Sequence, residues 1–315
     1  MMPILKLIRY KNLIIIILLQ CLLRYGLLIP ILHHYGVPPE LSHVRFGLLV
    51  LATLLLAASG YAINDYFDVR IDRINRPENV VIGRAVPRRT ALLLHVILTI
   101  TGVIIGLFLA YVTRKENYAL MFIVVPGLLW YYSTTLKKQM LVGNLAIAML
   151  TALVPFIVVS LEFATLARVH GNEILDSQAC STAWFWTTGF AFFAFISTIS
   201  RELIKDMEDM EGDREAGCRT LPVEMGLNYS RSVVVLLTIA SIAALWVILG
   251  LVPQLRESYI TWGYFFLFLT IPYMVMGYKV LKAQTREDFH QASSVSKFIM
   301  LMGILFIFVA RTFFG

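Results

Sequence analysis

Charged residues are scarce in this 315-residue sequence, in which Asp, Glu, Lys and Arg together make up 15%. A soluble globular domain is about one-quarter charged. Apolar residues instead make up 58%, and the mean hydropathy is +0.75. Nine apolar helices of about 20 residues fit within this length and leave room for connections. This balance excludes a soluble enzyme and a disordered chain, and it predicts an integral membrane protein.

Cysteine is also rare, and the three cysteines lie far apart, at Cys21, Cys180 and Cys218. Their spacing fits neither a disulfide framework nor a zinc knuckle. The first apolar run, at 13–32, is too long for the hydrophobic region of a signal peptide and lacks a cleavage pattern, so we expect a retained helix. The lack of a targeting segment favours the plasma membrane of a prokaryote.

Apolar periodicity predicts an all-α fold with nine transmembrane helices, at 12–32, 46–66, 89–111, 118–136, 141–161, 182–204, 230–250, 258–280 and 294–314. The distribution of lysine and arginine supports nine helices, because a wrong number would disturb its alternation between connections. Of these cations, 20 fall at the N-terminus and in the even-numbered connections, against 6 in the odd-numbered connections and at the C-terminus. The positive-inside rule therefore predicts a cytoplasmic N-terminus and an external C-terminus.

Two acidic motifs follow the second and sixth predicted helices, and both read D-x-x-D-x-x-x-D-R. The first begins at Asp65 and the second at Asp206, 141 positions later. The repetition predicts that the two motifs serve one function on the cytoplasmic side. It also suggests a single domain, 1–315, built from two related halves at about 1–140 and 141–315.

Each motif predicts a column of acids on one helix face, since residues advance about 100° per position. The first column, within roughly 100°, contains Asn64, Asp65, Asp68 and Asp72. The second, within roughly 60°, contains Glu202, Asp206, Asp209 and Asp213. Aligned like charges repel, so a cation must offset the cost. Oxygen ligands suit Mg²⁺, which one or two carboxylates commonly hold together with substrate phosphates. We therefore expect Mg²⁺ around a diphosphate leaving group.

Basic residues accompany the acids on the same predicted side, and those nearest the motifs are expected to bind phosphate oxygens: Arg76, Lys137, Lys205 and Arg219. The positive-inside bias alone also places cations here, and that alternative stays open for each of them. Lys205 and Arg219 are favoured because they flank the second motif.

At these residues the chain resembles the UbiA superfamily of intramembrane prenyltransferases. Its first signature, N-D-x-x-D-x-x-x-D, is met at 64–72, and its second, D-x-x-x-D, at 209–213. The run from Lys205 to Pro222 is similar to the digeranylgeranylglyceryl phosphate synthase branch of that family. One departure is that Val80-Val81-Ile82-Gly83-Arg84 stands where the family often has a Pro-Ser-Gly element.

The resemblance implies a helical bundle with a central cavity that is capped on the cytoplasmic side. A polyprenyl diphosphate would bind Mg²⁺ between the motifs and alkylate a membrane-associated acceptor. The implied metal and diphosphate ligands are Asn64, Asp68, Asp72, Asp209 and Asp213, with Asp65 and Asp206 as further catalytic residues. Geranylgeranylglyceryl phosphate is the first choice of acceptor and an aromatic quinone precursor is the alternative. Membrane lipids are the other expected partners, and no nucleic acid is expected.

Two other functions compete with prenyl transfer. A cation-coupled transporter also uses acids at helix ends, but its sites usually lie near the bilayer midplane. A CDP-alcohol phosphotransferase also combines aspartates with a divalent metal. Its single long signature requires Gly where this chain has Val69, and the acids of this chain are split between two distant helices.

Overall fold

The computed structural model describes residues 2–315, with the exception of the Asn79 side chain. Within this part of the chain nine helices are long and apolar enough to cross a membrane, and they are numbered here as spans 1 to 9: Tyr10–His34, His43–Asn75, Arg88–Thr113, Glu116–Lys138, Val142–His170, Gln178–Glu208, Leu221–Leu251, Tyr259–Lys282 and Arg286–Arg311. The same residues contain no β-strand, only an isolated bridge between Ile82 and Val86. The predicted all-α fold with nine spans is confirmed.

Several predicted helix ends were wrong. Span 2 continues to Asn75, nine residues beyond the predicted end at 66, and so carries the whole first motif as α-helix. The connection predicted at 162–181 is mostly helical, because span 5 extends to His170 and span 6 begins at Gln178. A backbone leaving the membrane still forms its helical hydrogen bonds in water, so hydropathy alone does not mark a helix end.

The chain divides into two compact units. The first unit comprises the residues up to Lys137 together with Leu153–Thr188, and the second comprises Lys138–Ala152 together with Gly189–Gly315. Spans 5 and 6 contribute residues to both units. The first motif belongs to the first unit, and the second motif belongs to the second.

Each motif lies beside a buried apolar cluster of its own unit. In the first unit, Ala62 and Val69 of span 2 pack with Leu7, Ile82 and Ala91. Because Ala62 and Val69 are seven positions apart, they share one helix face, and the polar motif residues between them fall on other faces. In the second unit the buried residues next to the motif are Leu203, Ile204 and Met207, which pack with Leu221, Tyr273, Met276 and Phe289. Burial of these apolar residues fixes the helices that carry the acids.

A buried ion pair joins spans 1 and 5 within the first unit. Arg24 is 1% exposed and Glu162 is 0% exposed, and the two side chains are 3.0 Å apart. Glu162 also accepts the backbone N–H groups of Glu40 and Leu41, at 2.7 and 2.9 Å, while Arg24 donates to the Leu41 carbonyl. Residues Leu22–Leu28 form a π-helical segment around Arg24. This pair ties the connection between spans 1 and 2 to span 5.

Candidate active site

The first motif places an amide, a carboxylate and an ammonium in direct contact. Asn64 donates from Nδ2 to Asp68 Oδ2 at 2.8 Å, one helical turn away. Lys137 Nζ lies 3.3 Å from Asn64 Oδ1 and forms an ion pair with Asp68. Lys137 comes from the 3₁₀ turn Leu136–Lys138 at the end of span 4. The structure therefore brings together three predicted site residues that are up to 73 positions apart in sequence.

Asp65 has a different partner, which the sequence reasoning missed. Arg9 donates to Asp65 Oδ1 at 2.7 Å, and its guanidinium lies 5.2 Å from the centre of the Tyr61 ring. Partial burial by itself would lower the pKa of Arg9, but the nearby Asp65 carboxylate and Tyr61 hydroxyl outweigh it and hold that pKa above its usual value. Arg9 has φ 50 and ψ 53 and joins the short helix Met2–Leu7 to span 1. In the sequence it is only one of three N-terminal cations.

The rest of the first motif follows on the last turn of span 2. Asp72 is half-buried, and its backbone carbonyl accepts the N–H of Arg76 at 2.7 Å. Arg76 leaves the helix with φ −144 and ψ 61. The predicted residues Asp72 and Arg76 are therefore held together through the backbone where span 2 ends.

The second motif is not carried by one continuous helix, and this prediction was wrong. Span 6 ends at Glu208, Asp209 has φ −102 and ψ 7, and a separate helix covers Met210–Glu215. The rule of 100° per residue therefore applies from Glu202 to Glu208 but does not extend to Asp213. The predicted single column is divided between span 6 and the short helix.

Each part of the second motif has its own contacts. Asp206 accepts from Asn144 Nδ2 of span 5 at 2.8 Å. Glu202 pairs with Arg201 at 2.6 Å, and Lys205 lies 3.6 Å from it. The Lys205 ammonium thus balances Glu202, which precedes the motif on the same helix. Asn144 and Asp206 repeat, in the second unit, the amide-to-carboxylate bond of Asn64 and Asp68.

Beyond the helix break, two further contacts hold the acids. The Thr220 hydroxyl lies 3.4 Å from Asp213 Oδ2. The Arg286 guanidinium of span 9 lies 3.9 Å from Asp209 Oδ1 and is 43% exposed. Arg286 was not among the predicted site residues, because nothing in its local sequence relates it to a motif 77 positions earlier.

Arg219 does not contact an acid of either motif. Its side chain is 76% exposed and pairs with Glu224 at 2.6 Å. That hydrogen bond raises the pKa of Arg219 above its usual value. The Arg219 backbone N–H donates to the Lys138 carbonyl at 2.8 Å. This bond joins the segment that follows the second motif to the end of span 4.

The donor set fits Mg²⁺ held together with a phosphorylated ligand. Within residues 2–315 no group of three or more His, Cys, Asp or Glu side chains lies close enough to hold a metal ion. Mg²⁺ usually needs no such cage, because substrate phosphates and water complete its shell. The half-buried carboxylates of Asp68, Asp72, Asp209 and Asp213 and the Asn64 amide offer hard oxygen atoms of this kind.

Comparison with known proteins decides the family. The model of the UbiA prenyltransferase family matches residues 26–308. This chain belongs to the UbiA prenyltransferase family. Membership confirms the family resemblance seen in the motifs and the prediction of a prenyltransferase.

The similar curated relatives include digeranylgeranylglyceryl phosphate synthases of archaea. The Pyrococcus abyssi enzyme is 34% identical over 205 residues, which cover 64% of this chain and 63% of that enzyme. The Ignicoccus hospitalis enzyme is 33% identical over 259 residues, which cover 79% and 77%. The match therefore spans just under two-thirds of the first relative and about three-quarters of the second.

Solved structures share the fold at lower identity. A structure of digeranylgeranylglyceryl phosphate synthase is 22% identical, covers 98% of this chain and 97% of its own, and superposes with a TM-score of 0.60. A UbiA homolog from Archaeoglobus fulgidus bound to GPP and Mg²⁺ is 15% identical, covers 98% and 99%, and has a TM-score of 0.55. These likenesses establish the UbiA membrane fold for this chain.

Proposed function

We propose that this protein transfers a polyprenyl group, with geranylgeranyl as first choice, from its diphosphate to geranylgeranylglyceryl phosphate in a Mg²⁺-dependent reaction. The contact of Asn64, Asp68 and Lys137 carries the proposal, because it combines oxygen ligands for Mg²⁺ with a cation for a phosphate oxygen. The names of the archaeal relatives support this acceptor, and an aromatic quinone precursor is the alternative.

In this proposal the residues of both motifs serve the same diphosphate. Asn64, Asp68, Asp72, Asp209 and Asp213 would hold Mg²⁺, which would neutralise charge on the leaving diphosphate. The bond between prenyl C1 and the diphosphate oxygen breaks, and its electron pair leaves with the diphosphate. The acceptor hydroxyl oxygen forms the new bond to C1 and releases its proton to the departing diphosphate.

The cations of the two motifs have a separate role in the proposal. Lys137, Lys205, Arg76 and Arg219 donate to the non-bridging oxygens of the diphosphate, since ionised donors form the stronger hydrogen bonds to phosphate. Asp65 and Asp206 position their neighbours, Asp65 through Arg9 and Asp206 through Asn144.

We place the protein in a prokaryotic plasma membrane with both motifs facing the cytoplasm. The excess of cations in the even-numbered connections supports this orientation. A diphosphate made in the cytoplasm would then reach the motifs without crossing the bilayer, while its prenyl chain stays in the apolar phase.

The first test is a product assay with the purified full chain in detergent. Labelled geranylgeranyl diphosphate and Mg²⁺ are supplied with geranylgeranylglyceryl phosphate, with an aromatic quinone precursor, or with no acceptor, and the product is identified by its mass. We expect an ether product with geranylgeranylglyceryl phosphate. A product with the aromatic acceptor alone would identify the protein as an aromatic prenyltransferase. Ion flux in proteoliposomes without any prenylated product would favour a transporter.

The second test compares Asp68→Asn and Asp209→Asn with Glu211→Gln, which removes an exposed acid two residues from Asp209. Each aspartate variant should reduce kcat at least about 100-fold, because loss of a group that stabilises the leaving charge costs roughly 3–4 kcal/mol. Glu211→Gln should retain activity. Full activity in either aspartate variant contradicts the site, and a normal thermal transition in Mg²⁺-free buffer excludes misfolding as the cause of a loss.

A further inference from the structure

An open cleft of about 650 Å³ lies in the first unit, at the ends of spans 2 to 5. Four cations line it: Arg45 in the first turn of span 2, Arg114 and Lys115 between spans 3 and 4, and Arg168 in the last turn of span 5. Asp68 and Lys137 lie near the opposite ends of spans 2 and 4. Most of the length of span 2 therefore separates the cleft from the first motif. We call it the cationic cleft.

Cations are few at this end of the helices, yet they gather here. Five lysines and arginines lie in or beside the odd-numbered connections, and four of these five line the cationic cleft. Glu116 is the one acid among the lining residues. Within residues 2–315 the side chains of Arg45, Arg114 and Lys115 form no ion pair. Like charges concentrated in this way repel each other unless an anion is bound among them.

One cation of the cleft is fixed by the protein itself. Arg168 donates to the backbone carbonyl of Val112, one residue before the end of span 3. This bond holds the end of span 5 against span 3, and Arg168 also lines the cleft. The other three cations have no such anchor, so they are available to a bound anion.

An exposed apolar stripe runs from the cleft along span 3. Leu107 and Tyr111 line the cleft, and Ile100 and Ile104 continue the same helix face with a spacing of three and four residues. Their exposed fractions are 37% for Leu107, 83% for Tyr111, 54% for Ile100 and 60% for Ile104. Span 3 is a membrane-length helix, so this stripe offers an apolar surface directly below a cationic one.

We propose that the cationic cleft binds the headgroup of an anionic phospholipid, with an acyl chain along the stripe of span 3. Arg45, Arg114 and Lys115 bind the phosphate, since charge-assisted bonds from arginine suit phosphate oxygens. A free phosphate ion would use the cations and gain nothing from the stripe. The proposal adds a lipid site to the enzyme and is independent of the prenyl-transfer reaction.

Native mass spectrometry of the full chain in detergent tests the proposal. The wild-type chain is titrated with phosphatidylglycerol, with phosphatidylcholine of the same acyl chains, and with phosphatidylglycerol in the presence of excess inorganic phosphate. The test variant is R45Q/R114Q, and Arg168 is left unchanged because it also supports the fold. The control variant is R256Q, which removes an exposed arginine outside the cleft.

We expect phosphatidylglycerol to bind more tightly than phosphatidylcholine and to resist displacement by inorganic phosphate. Removing one cation near an anionic lipid costs about fivefold in affinity, so R45Q/R114Q should bind phosphatidylglycerol about 25-fold more weakly. R256Q should bind it as the wild type does. Equal binding of the two lipids, displacement by inorganic phosphate, or unchanged binding by R45Q/R114Q would each overturn the proposal.

Discussion

The ammonium of Lys137 forms an ion pair with Asp68 of the first motif. It balances the Asp68 carboxylate and donates to the Asn64 side-chain carbonyl. Both side chains are largely buried, at 12% exposed for Lys137 and 17% for Asp68, so an isolated charge at either position would be costly. Lys137 therefore stabilises the buried Asp68 carboxylate, and in the proposed reaction it also binds the diphosphate.

We expect Lys137→Met to weaken binding of geranylgeranyl diphosphate about 10- to 100-fold, because a hydrogen bond to a charged group contributes about 1.5–3 kcal/mol. The matched control is Lys138→Met, which removes the neighbouring exposed cation. Isothermal titration with Mg²⁺ present measures both variants. Equal affinities of Lys137→Met and Lys138→Met for geranylgeranyl diphosphate would show that Lys137 does not bind it.

A second residue-scale prediction concerns Arg24 and Glu162. Removing one partner of a buried ion pair leaves an uncompensated charge and typically lowers the free energy of unfolding by roughly 3–5 kcal/mol. Arg24→Met and Glu162→Gln should each lower Tm in a detergent unfolding assay. The double variant should lose less stability than the two single variants together, since neither charge remains. Additive losses would show that the two side chains do not interact.

The partners of Arg9 and Arg24 could not be predicted from the sequence. Arg9 reaches Asp65 across 56 positions, and Arg24 reaches Glu162 across 138. Local periodicity indicates which face of a helix is apolar, but it does not identify the distant residue that pairs with a charged side chain. The pairing of Asn64 with Asp68 was accessible, because residues four apart on a helix are neighbours.

At the scale of the helices, the second motif depends on two interruptions. The first is the break at Asp209, and the second is Gly226, whose φ of 82 and ψ of 165 lie inside the otherwise helical Leu221–Leu251. Between them Thr220 contacts Asp213, and Arg219 contacts Lys138 through the backbone. The motif thus sits on short segments whose directions are set by non-helical residues.

We expect Gly226→Ala to destabilise the protein by about 1–3 kcal/mol, because its backbone conformation is open essentially to glycine alone. Gly250→Ala in the same helix is the control. Gly250 has open space at the Cβ position and no positive φ, so alanine should be neutral or stabilise by up to about 1 kcal/mol. Thermal unfolding of the two variants decides this, and similar Tm values would show that Gly226 is not strained.

The sequence predicted the number of helices well and their ends poorly. Long apolar runs gave all nine spans, whereas the extension of span 2 through Asp72 lies in polar sequence. The break at Asp209 has no proline or glycine to mark it, so a continuous helix was the natural prediction. Polar residues near a membrane surface form helix or turn according to tertiary contacts that the sequence does not display.

For the whole molecule, the predicted orientation is open to a direct test. Glu215→Cys, after the second motif, and Asn172→Cys, between spans 5 and 6, replace exposed residues. The native Cys180 and Cys218 are buried and Cys21 is half-buried within span 1, so we expect a low background. In right-side-out vesicles a membrane-impermeant maleimide should label Asn172→Cys alone, and in inverted vesicles Glu215→Cys alone. The unmodified chain is the control, and the reverse pattern would invert the proposed orientation.

The contact between Arg9 and Asp65 has a practical consequence for protein engineering. A purification handle or fluorescent fusion joined directly before the helix Met2–Leu7 would pull on the segment that supplies this guanidinium, which is in direct contact with a signature aspartate. We expect such fusions to depress turnover even when expression and membrane insertion are normal. Handles for this protein are therefore better attached after Gly315.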